Sequence, residues 1–244
     1  MLGSDGGTDR RDFFGRVLGG AMVAGAATAI PRELLALETA PAPETRALVH
    51  EWEHRQEKVT WDMSWLDRIR GRYRQVFDAP EISEGTVFHQ TRVFMRGYID
   101  VYDCTDADFA AVMVIRHGAI PLVANDRLWD ELELGKQFRL KDPETGKPAR
   151  RNPFLNANNP RGSKHTLIWP DGGLDTLLQR GAIALCCNLA LFRIVGMVAK
   201  RDKVDSKAAR DKVLANLVPG VIVQPSGIFA VARAQEAGCN YIQA

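Results

Sequence analysis

The sequence lacks the features that define several large classes of protein. Only four cysteines occur in 244 residues, too few for a fold held together by disulfide bonds. The 32 basic and 30 acidic residues leave a formal charge of +2, which gives no general attraction to nucleic acid or to anionic lipid. The dinucleotide-binding glycine fingerprint, the P-loop and the Gly-x-Ser-x-Gly nucleophile motif are all missing. We therefore expect no nucleic-acid partner and no cofactor.

The N-terminal segment predicts export. The pair Arg10 and Arg11 precedes two phenylalanines, and the 14 residues 17–30 are mildly apolar and rich in Ala and Gly. This arrangement resembles a twin-arginine signal, and the apolar stretch is shorter than the roughly 20 residues of a membrane span. We expect residues 1–40 to be a signal helix and linker, read by the twin-arginine translocase, and the protein to be periplasmic. A signal that is not cleaved would leave it anchored to the membrane, and a cytosolic amphipathic tail is the alternative.

The rest of the chain alternates between helical and strand patterns. After a linker over residues 38–46, apolar residues at helical spacing predict a helix over 46–70. Further helices are predicted over 86–103, 125–132, 174–179, 188–200, 206–217 and 226–237. Strands are predicted over 74–77, 109–115, 182–186, 218–223 and 240–243, with Pro219 in the first turn of the fourth. This alternation predicts a three-layer α/β/α fold with a single five-stranded parallel sheet over residues 72–244, preceded by a helical extension over 41–71.

One segment, residues 136–170, breaks the alternation and is called the basic segment below. It is rich in Pro, Gly and Asn, has almost no apolar periodicity, and carries eight Lys or Arg against two acidic residues, a net +6. Loops of this length inside a domain are uncommon and often act as lids or binding loops. Two interpretations are open: a solvated surface excursion, or a basic flap that covers an anionic small ligand or contacts a protein partner.

Candidate binding residues follow from the predicted sheet, because open parallel sheets bind ligands beyond the carboxyl ends of their strands. Side chains that follow predicted strands, or that cap the helices after them, are expected at this edge. The candidates for ligand binding are Asp78, Asn125, Asn188, Gln224 and Ser226. The candidates for catalysis are Cys187, Cys186 and His117.

The cysteine pair falls where the third predicted strand meets the next helix. The free N–H groups and the dipole of a helix N-terminus favour a thiolate, so Cys187 could act as a nucleophile or carry a persulfide. The alternative is that Cys186 and Cys187 are small apolar residues in a tightly packed turn, or that they form a strained vicinal disulfide. His117 follows the second strand and could transfer protons near neutral pH, or could simply close the turn through a backbone carbonyl.

The sequence also contains a literal match to the zinc-binding motif His-Glu-x-x-His, in His50-Glu51-Trp52-Glu53-His54. On a helix this spacing puts two imidazoles on one face for zinc, with the glutamate between them as a base. No Gly-x-x-His follows to supply a third ligand, and no pattern brings Glu81 or Glu84 to the motif. We assign no metal site and interpret the segment as a solvated amphipathic helix, with a zinc peptidase as the alternative.

Three stretches of the sequence resemble the DsrE/DsrF-like family. They are the strand with a following His-Gly over residues 112–122, the strand-Cys-helix element over 183–191, and the strand-helix-strand ending over 219–242. With its N-terminal segment, the chain is similar to a twin-arginine-exported branch of that family. The resemblance implies a five-stranded α/β/α domain that forms homo-oligomers. In the sulfur-relay members a cysteine at this turn carries persulfide sulfur, and the corresponding residue here is Cys187, or alternatively Cys186.

Two main functions are therefore in competition. The first is a periplasmic binding or assembly module that uses the crevice at the carboxyl edge, or an oligomer surface, without thiol chemistry. The second is a sulfur or persulfide carrier with Cys187 as its nucleophile, His117 nearby and the basic segment as a lid. The second requires an accessible Cys187 sulfur, whereas the first requires only an open crevice.

Overall fold

Five parallel strands form one sheet in the computed structural model. They are β1 (Tyr73–Ala79), β2 (Phe109–Ile115), β3 (Ile183–Cys187), β4 (Val221–Gln224) and β5 (Asn240–Gln243), in the order β4-β3-β2-β1-β5. The structure describes residues 43–53, 59–142, 144–159 and 168–244. The predicted signal helix and most of the predicted linker lie outside these residues.

Eight α-helices accompany the sheet in the described ranges. They are α1 (Pro43–Glu53), α2 (Thr86–Tyr102), α3 (Asp126–Glu131), α4 (Leu134–Gln137), α5 (Leu174–Gln179), α6 (Asn188–Asp202), α7 (Ser206–Leu214) and α8 (Gly227–Glu236). Short 3-10 helices cover Ser64–Arg68, Ser83–Gly85, Asp106–Asp108, His117–Val123 and Asn156–Asn158. Within the same ranges, none of the helices combines the length and the hydrophobicity that crossing a bilayer requires.

The sheet is buried on both faces, which confirms the predicted three-layer α/β/α fold. Alternate residues of each central strand point to opposite faces, so Phe77 and Met113 pack on one side while Val76 and Val112 pack on the other. All seven residues of β2 are buried, as its unbroken apolar sequence predicts. The first face is covered by α2 and α6, and the second by α8.

The order of the strands explains this arrangement of helices. The chain moves stepwise from β1 through β2 and β3 to β4, then returns across the whole sheet to place β5 beside β1. The returning helix α8 therefore contacts β1, β2, β3 and β4 in turn. At the edge, all four residues of β5 are exposed.

The predicted helix over residues 46–70 is wrong in its extent. Helix α1 ends at Glu53 and already begins at Pro43, inside the predicted linker, while the second part of the segment forms only the short 3-10 helix Ser64–Arg68. The carboxylate of Asp62 accepts hydrogen bonds from the backbone and hydroxyl of Ser64, at 2.9 and 2.6 Å, which competes with continued helix. The turn lets Trp65 and Ile69 pack on the second face of the sheet.

Three strands differ at their ends from the prediction. Strand β1 continues to Ala79, so Asp78 lies inside it, and the parallel pairing of Asp78 with Val114 explains the extension. Strand β3 includes Cys187, which pairs with Gln224. Pro219 lies before β4, which begins at Val221, because a proline has no N–H to give to the sheet.

The basic segment is not a free flap in its described part. Phe154 is fully buried against Phe88 and Trp129, at ring-centroid distances of 6.2 and 6.4 Å. The buried amide of Asn152 donates to the carbonyl oxygens of Leu122 and Ala124, at 3.0 and 2.7 Å. These contacts hold the loop against the first face of the sheet, and Arg161 and Lys164 lie outside the described residues.

The segment also fits closely against α4 and pairs its charges locally. A methyl group on Gly135 would come within 2.3 Å of the backbone of Ala149, so only glycine allows this approach. Arg150 forms an ion pair with Asp130, and Arg151 pairs with Asp126 of the same helix, α3, at 3.2 Å. The interpretation as a basic flap is therefore corrected for this part: the loop packs against the core, and Arg150 and Arg151 are paired with carboxylates.

A second cluster of charges joins α3 to the first layer of helices. Hydrogen bonds from Arg127, Lys212 and Arg201 reach the carboxylate of Glu131, at 2.7, 2.9 and 2.6 Å. These bonds, with that of Arg127 foremost, lower the pKa of Glu131 to about 2, against a smaller opposing effect of burial. The cluster ties α3 to α6 and α7.

Candidate functional site at the carboxyl edge of the sheet

The carboxyl ends of the central strands bring several predicted residues to one edge. The register pairs Asp78 with Val114, Ile115 with Cys186, and Cys187 with Gln224. The residues that end these strands therefore lie side by side along the edge, as the sequence predicts for a parallel sheet.

The central feature of this edge is an ion pair between Asp78 and Arg116. The Nε and Nη2 atoms of Arg116 donate to the two carboxylate oxygens of Asp78, at 2.7 and 2.8 Å. The Tyr241 hydroxyl donates to the same carboxylate at 3.1 Å. The hydrogen bonds to Asp78 raise the pKa of Arg116, and partial burial opposes them. Asp78 is therefore paired with Arg116. The sequence analysis did not identify Arg116 as a candidate site residue.

Arg116 lies against the start of helix α8. A methyl group on Gly227, the first residue of that helix, would come within 2.6 Å of the Arg116 side chain. The side chain of Arg116 is 23% exposed, whereas that of Asp78 is 4% exposed. Among the described residues, the Nη1 atom of Arg116 has no hydrogen-bond partner, so this donor remains for another group.

His117 is the exposed member of the edge. It follows β2 with a backbone φ of 51°, a left-handed conformation that is uncommon for residues other than glycine. The next amide, of Gly118, donates to the Pro80 carbonyl at 2.8 Å, and a 3-10 helix then begins. Strained backbone of this kind costs about 1 kcal/mol or more and is concentrated at functional sites.

The cysteine pair is packed into the core. Cys186 and Cys187 are 1% and 7% exposed and belong to the apolar cluster on the first face. Burial raises the pKa of the Cys186 thiol far above its ordinary value. The Cys187 sulfur accepts a hydrogen bond from the Ala190 amide at 3.4 Å and so caps helix α6. Neither cysteine is in a disulfide.

Two polar candidates at the edge support the structure. The Gln224 amide donates to the Asp62 carbonyl at 2.8 Å, while its Oε1 atom is buried without a partner in the described chain. The Asn188 oxygen accepts a hydrogen bond from Arg210 at 2.9 Å, while its Nδ2 atom is likewise buried and unpaired there.

The remaining two candidates are helix caps, as their sequence positions predict. The side chain of Ser226 accepts a hydrogen bond from the Phe229 amide at 3.1 Å. Asn125 accepts one from the Leu128 amide at 3.1 Å and donates to Asn216 at 3.2 Å. Asn125 bonds to the turn before β4 and to α3, so its hydrogen bonds serve the fold.

The His-Glu-x-x-His sequence is described only in part. His50 and Glu51 lie in α1, and His54 lies outside the described residues. Among the side chains that the structure describes, no three His, Cys, Asp or Glu residues come together in a group that could hold a metal ion.

Comparison with known proteins adds a structural likeness. No protein-family model and no curated protein matches the chain. A solved structure of the protein of unknown function MTH1491 from Methanobacterium thermoautotrophicum is similar, with 15% identity and a TM-score of 0.37. The likeness covers 70% of this chain and 99% of that one.

Proposed function

We propose that this protein is a non-catalytic binding module that holds a small anionic ligand at the carboxyl edge, between Arg116 and His117. The observation that carries the proposal is the difference in exposure between the cysteines and the basic residues at this edge. Cys186 and Cys187 are buried in the core, whereas His117 is exposed and Arg116 keeps a free donor.

The charge and conformation of the edge favour an anion. Arg116 keeps its positive charge at every physiological pH, and its Nη1 atom is not used by Asp78. Helix α8 begins at Gly227 beside this side chain, and the first amides of a helix attract negative charge. His117 follows Arg116 directly in the chain and is exposed at the same end of β2.

The test is a titration of the full chain with phosphate and with acetate, followed by NMR of the backbone amides. We expect the amides of residues 116–118 and 227–228 to shift in a saturable way. His117→Asn removes the imidazole, and asparagine tolerates the left-handed backbone, so binding should weaken by about threefold to tenfold. His89→Asn, on the exposed face of α2, is the matched control and should leave binding unchanged.

A double variant separates this proposal from thiol chemistry. Cys186→Ala/Cys187→Ala should bind the anion as the wild type does, because both cysteines are buried in the apolar core. Loss of binding in this variant, or no amide shift at millimolar anion, would refute the binding module.

The second candidate function is a sulfur carrier that uses Cys187. It is favoured by the position of Cys187 at the end of β3, where its sulfur accepts the Ala190 amide of α6. Alkylation of the native full chain as a function of pH, resolved by mass, tests it. A carrier requires fast modification of Cys187 alone, whereas the binding module requires that Cys187 react only after unfolding.

Export, family membership and self-association belong to the same proposal. The sequence of residues 1–40 and the DsrE/DsrF-like resemblance support a homo-oligomer that is exported to the periplasm by the twin-arginine route. Replacing Arg10 and Arg11 by lysine should retain the protein in the cytoplasm in a cell-fractionation assay. Light scattering after size exclusion measures the mass, and a monomer at all concentrations would remove the oligomer from the proposal.

A further inference from the structure

A cavity of about 280 Å³ lies at the opposite, amino edge of the sheet. It is formed where β1 and β5 begin, beside helix α2. Its lining combines two arginines with three aromatic rings: Arg72, Arg74, Tyr73, Phe94, Tyr98 and Asn240. This cavity shares none of these residues with the carboxyl-edge site.

The arginines give the cavity a positive charge. Arg74 is held in place because its Nε and Nη1 atoms donate to the carbonyl oxygens of Gly71 and Ala237, at 2.8 and 3.1 Å. Its Nη2 atom has no hydrogen-bond partner in the described chain. Arg72 lies over the Tyr73 ring, 5.2 Å from the centroid. Neither arginine forms an ion pair with a carboxylate among the residues that the structure describes.

The nearby carboxylate of Asp108 offsets part of this charge but forms no ion pair with Arg72 or Arg74 among the described residues. Hydrogen bonds from the backbone and side chain of Thr105 lower the pKa of Asp108, and the charge of Arg72 adds a smaller share. Asp108 is thus occupied by Thr105, at 2.8 and 3.0 Å. A ligand with its own negative charge would find both guanidinium groups available.

The aromatic residues form a wall beside the arginines. Phe94 and Tyr98 are one helical turn apart on α2, and their ring centroids are 5.2 Å apart. The Tyr73 ring packs on Tyr98 at 4.0 Å. All three residues are partly exposed, and all three line the cavity.

We infer that this cavity binds a small aromatic anion, in which an aromatic group is joined to a carboxylate or a phosphate. The anionic group pairs with Arg74 and Arg72, and the aromatic group packs against Phe94 and Tyr98. The volume is just below the range for ligand sites, about 300–1,000 Å³, and therefore suits a small ligand rather than a large cofactor. The same chemistry occurs in aromatic acids and in mononucleotides, so the two sources must be distinguished by experiment.

Calorimetric titration of the full chain tests the inference with four probes: benzoate, phenyl phosphate, adenosine monophosphate and inorganic phosphate. We expect phenyl phosphate or benzoate to bind at least about tenfold more tightly than inorganic phosphate, because base or ring stacking is added to the charge. Tighter binding of adenosine monophosphate identifies a nucleotide as the source, and tighter binding of benzoate identifies an aromatic acid. Equal affinity for inorganic phosphate and for every aromatic probe overturns the inference.

Variants with matched controls locate the binding. Arg72→Gln should weaken binding of phenyl phosphate by about tenfold, and Tyr98→Leu by a similar factor. Arg70→Gln removes a positive charge from a neighbouring residue that does not line the cavity, and it should change the affinity by less than about twofold. A control that weakens binding as much as its partner variant, or no binding of any aromatic probe at millimolar concentration, refutes the site.

Discussion

The ion pair between Asp78 and Arg116 gives an asymmetric prediction for stability. Arg116→Met leaves the Asp78 carboxylate, 4% exposed, with the Tyr241 hydroxyl as its one remaining donor among the described side chains. Because a buried charge without its partner is costly, we expect this variant to lose about 3–5 kcal/mol of unfolding free energy. Asp78→Leu leaves the charge on Arg116, whose side chain is 23% exposed and can turn toward water. This second variant should lose less, about 1–3 kcal/mol.

The double variant Asp78→Leu/Arg116→Met completes the cycle. Since no unpaired charge remains, it should be more stable than Arg116→Met alone, which requires a coupling energy larger than the loss in Asp78→Leu. Urea denaturation at pH 7, followed by far-UV circular dichroism, measures all four proteins. Equal losses in the two single variants, or strictly additive losses in the double variant, would refute the assignment of an ion pair in which Asp78 is buried and Arg116 is partly exposed to solvent.

Three further predictions concern packing and charge. Phe154→Ala should cost about 3–5 kcal/mol by urea denaturation, because its fully buried ring lies in the core; a loss below about 1 kcal/mol would mean that the loop is a free flap. Gly135→Ala should destabilise by more than about 2 kcal/mol through its clash with the basic segment, whereas Gly97→Ala, with open space around it in α2, should stabilise by about 0.5–1 kcal/mol; thermal denaturation of the pair checks both signs. Glu131→Gln should cost about 1–2 kcal/mol at pH 7 after allowance for solvent screening. Arg127 and its basic neighbours lower the folded pKa of Glu131 from 4.5 to about 2, so the difference from wild type should be constant above about pH 5 and shrink as pH falls toward 2; a difference that grows in acid contradicts the assignment.

The alternation of the elements could be predicted from the sequence because each buried strand is a short apolar run. Strand β2 and helix α5 have the predicted bounds, and so does β5. Helices cover both faces of a parallel sheet, and its buried strands therefore appear in the sequence as continuous apolar runs. The extension of β1 to Asp78 was not visible, because a charged residue ends an apolar run and only the pairing with β2 and Arg116 explains it.

The predicted helix over residues 46–70 and the interpretation of the basic segment as a flap were wrong for the same physical reason. In both cases, packing against residues distant in the sequence determines the local structure. Residues around Trp65 have helical spacing, yet they turn in order to cover the second face of the sheet. The basic segment has no periodicity, yet Phe154 and Asn152 fix it to the core. Arg116 could have been identified in the sequence, because the two neighbouring predicted strands are followed directly by residues of opposite charge, Asp78 and Arg116.

Helix α8 connects the two margins of the sheet, and this has a consequence for biosynthesis. While a ribosome has not yet released residues 227–243, the face that carries Val112 and Leu185 is covered by the segment around Trp65 but not by α8. A nascent chain of this length exposes apolar surface on that face, and β1 still presents one unpaired side. Docking of the last segment therefore both shields this hydrophobic surface and completes the sheet.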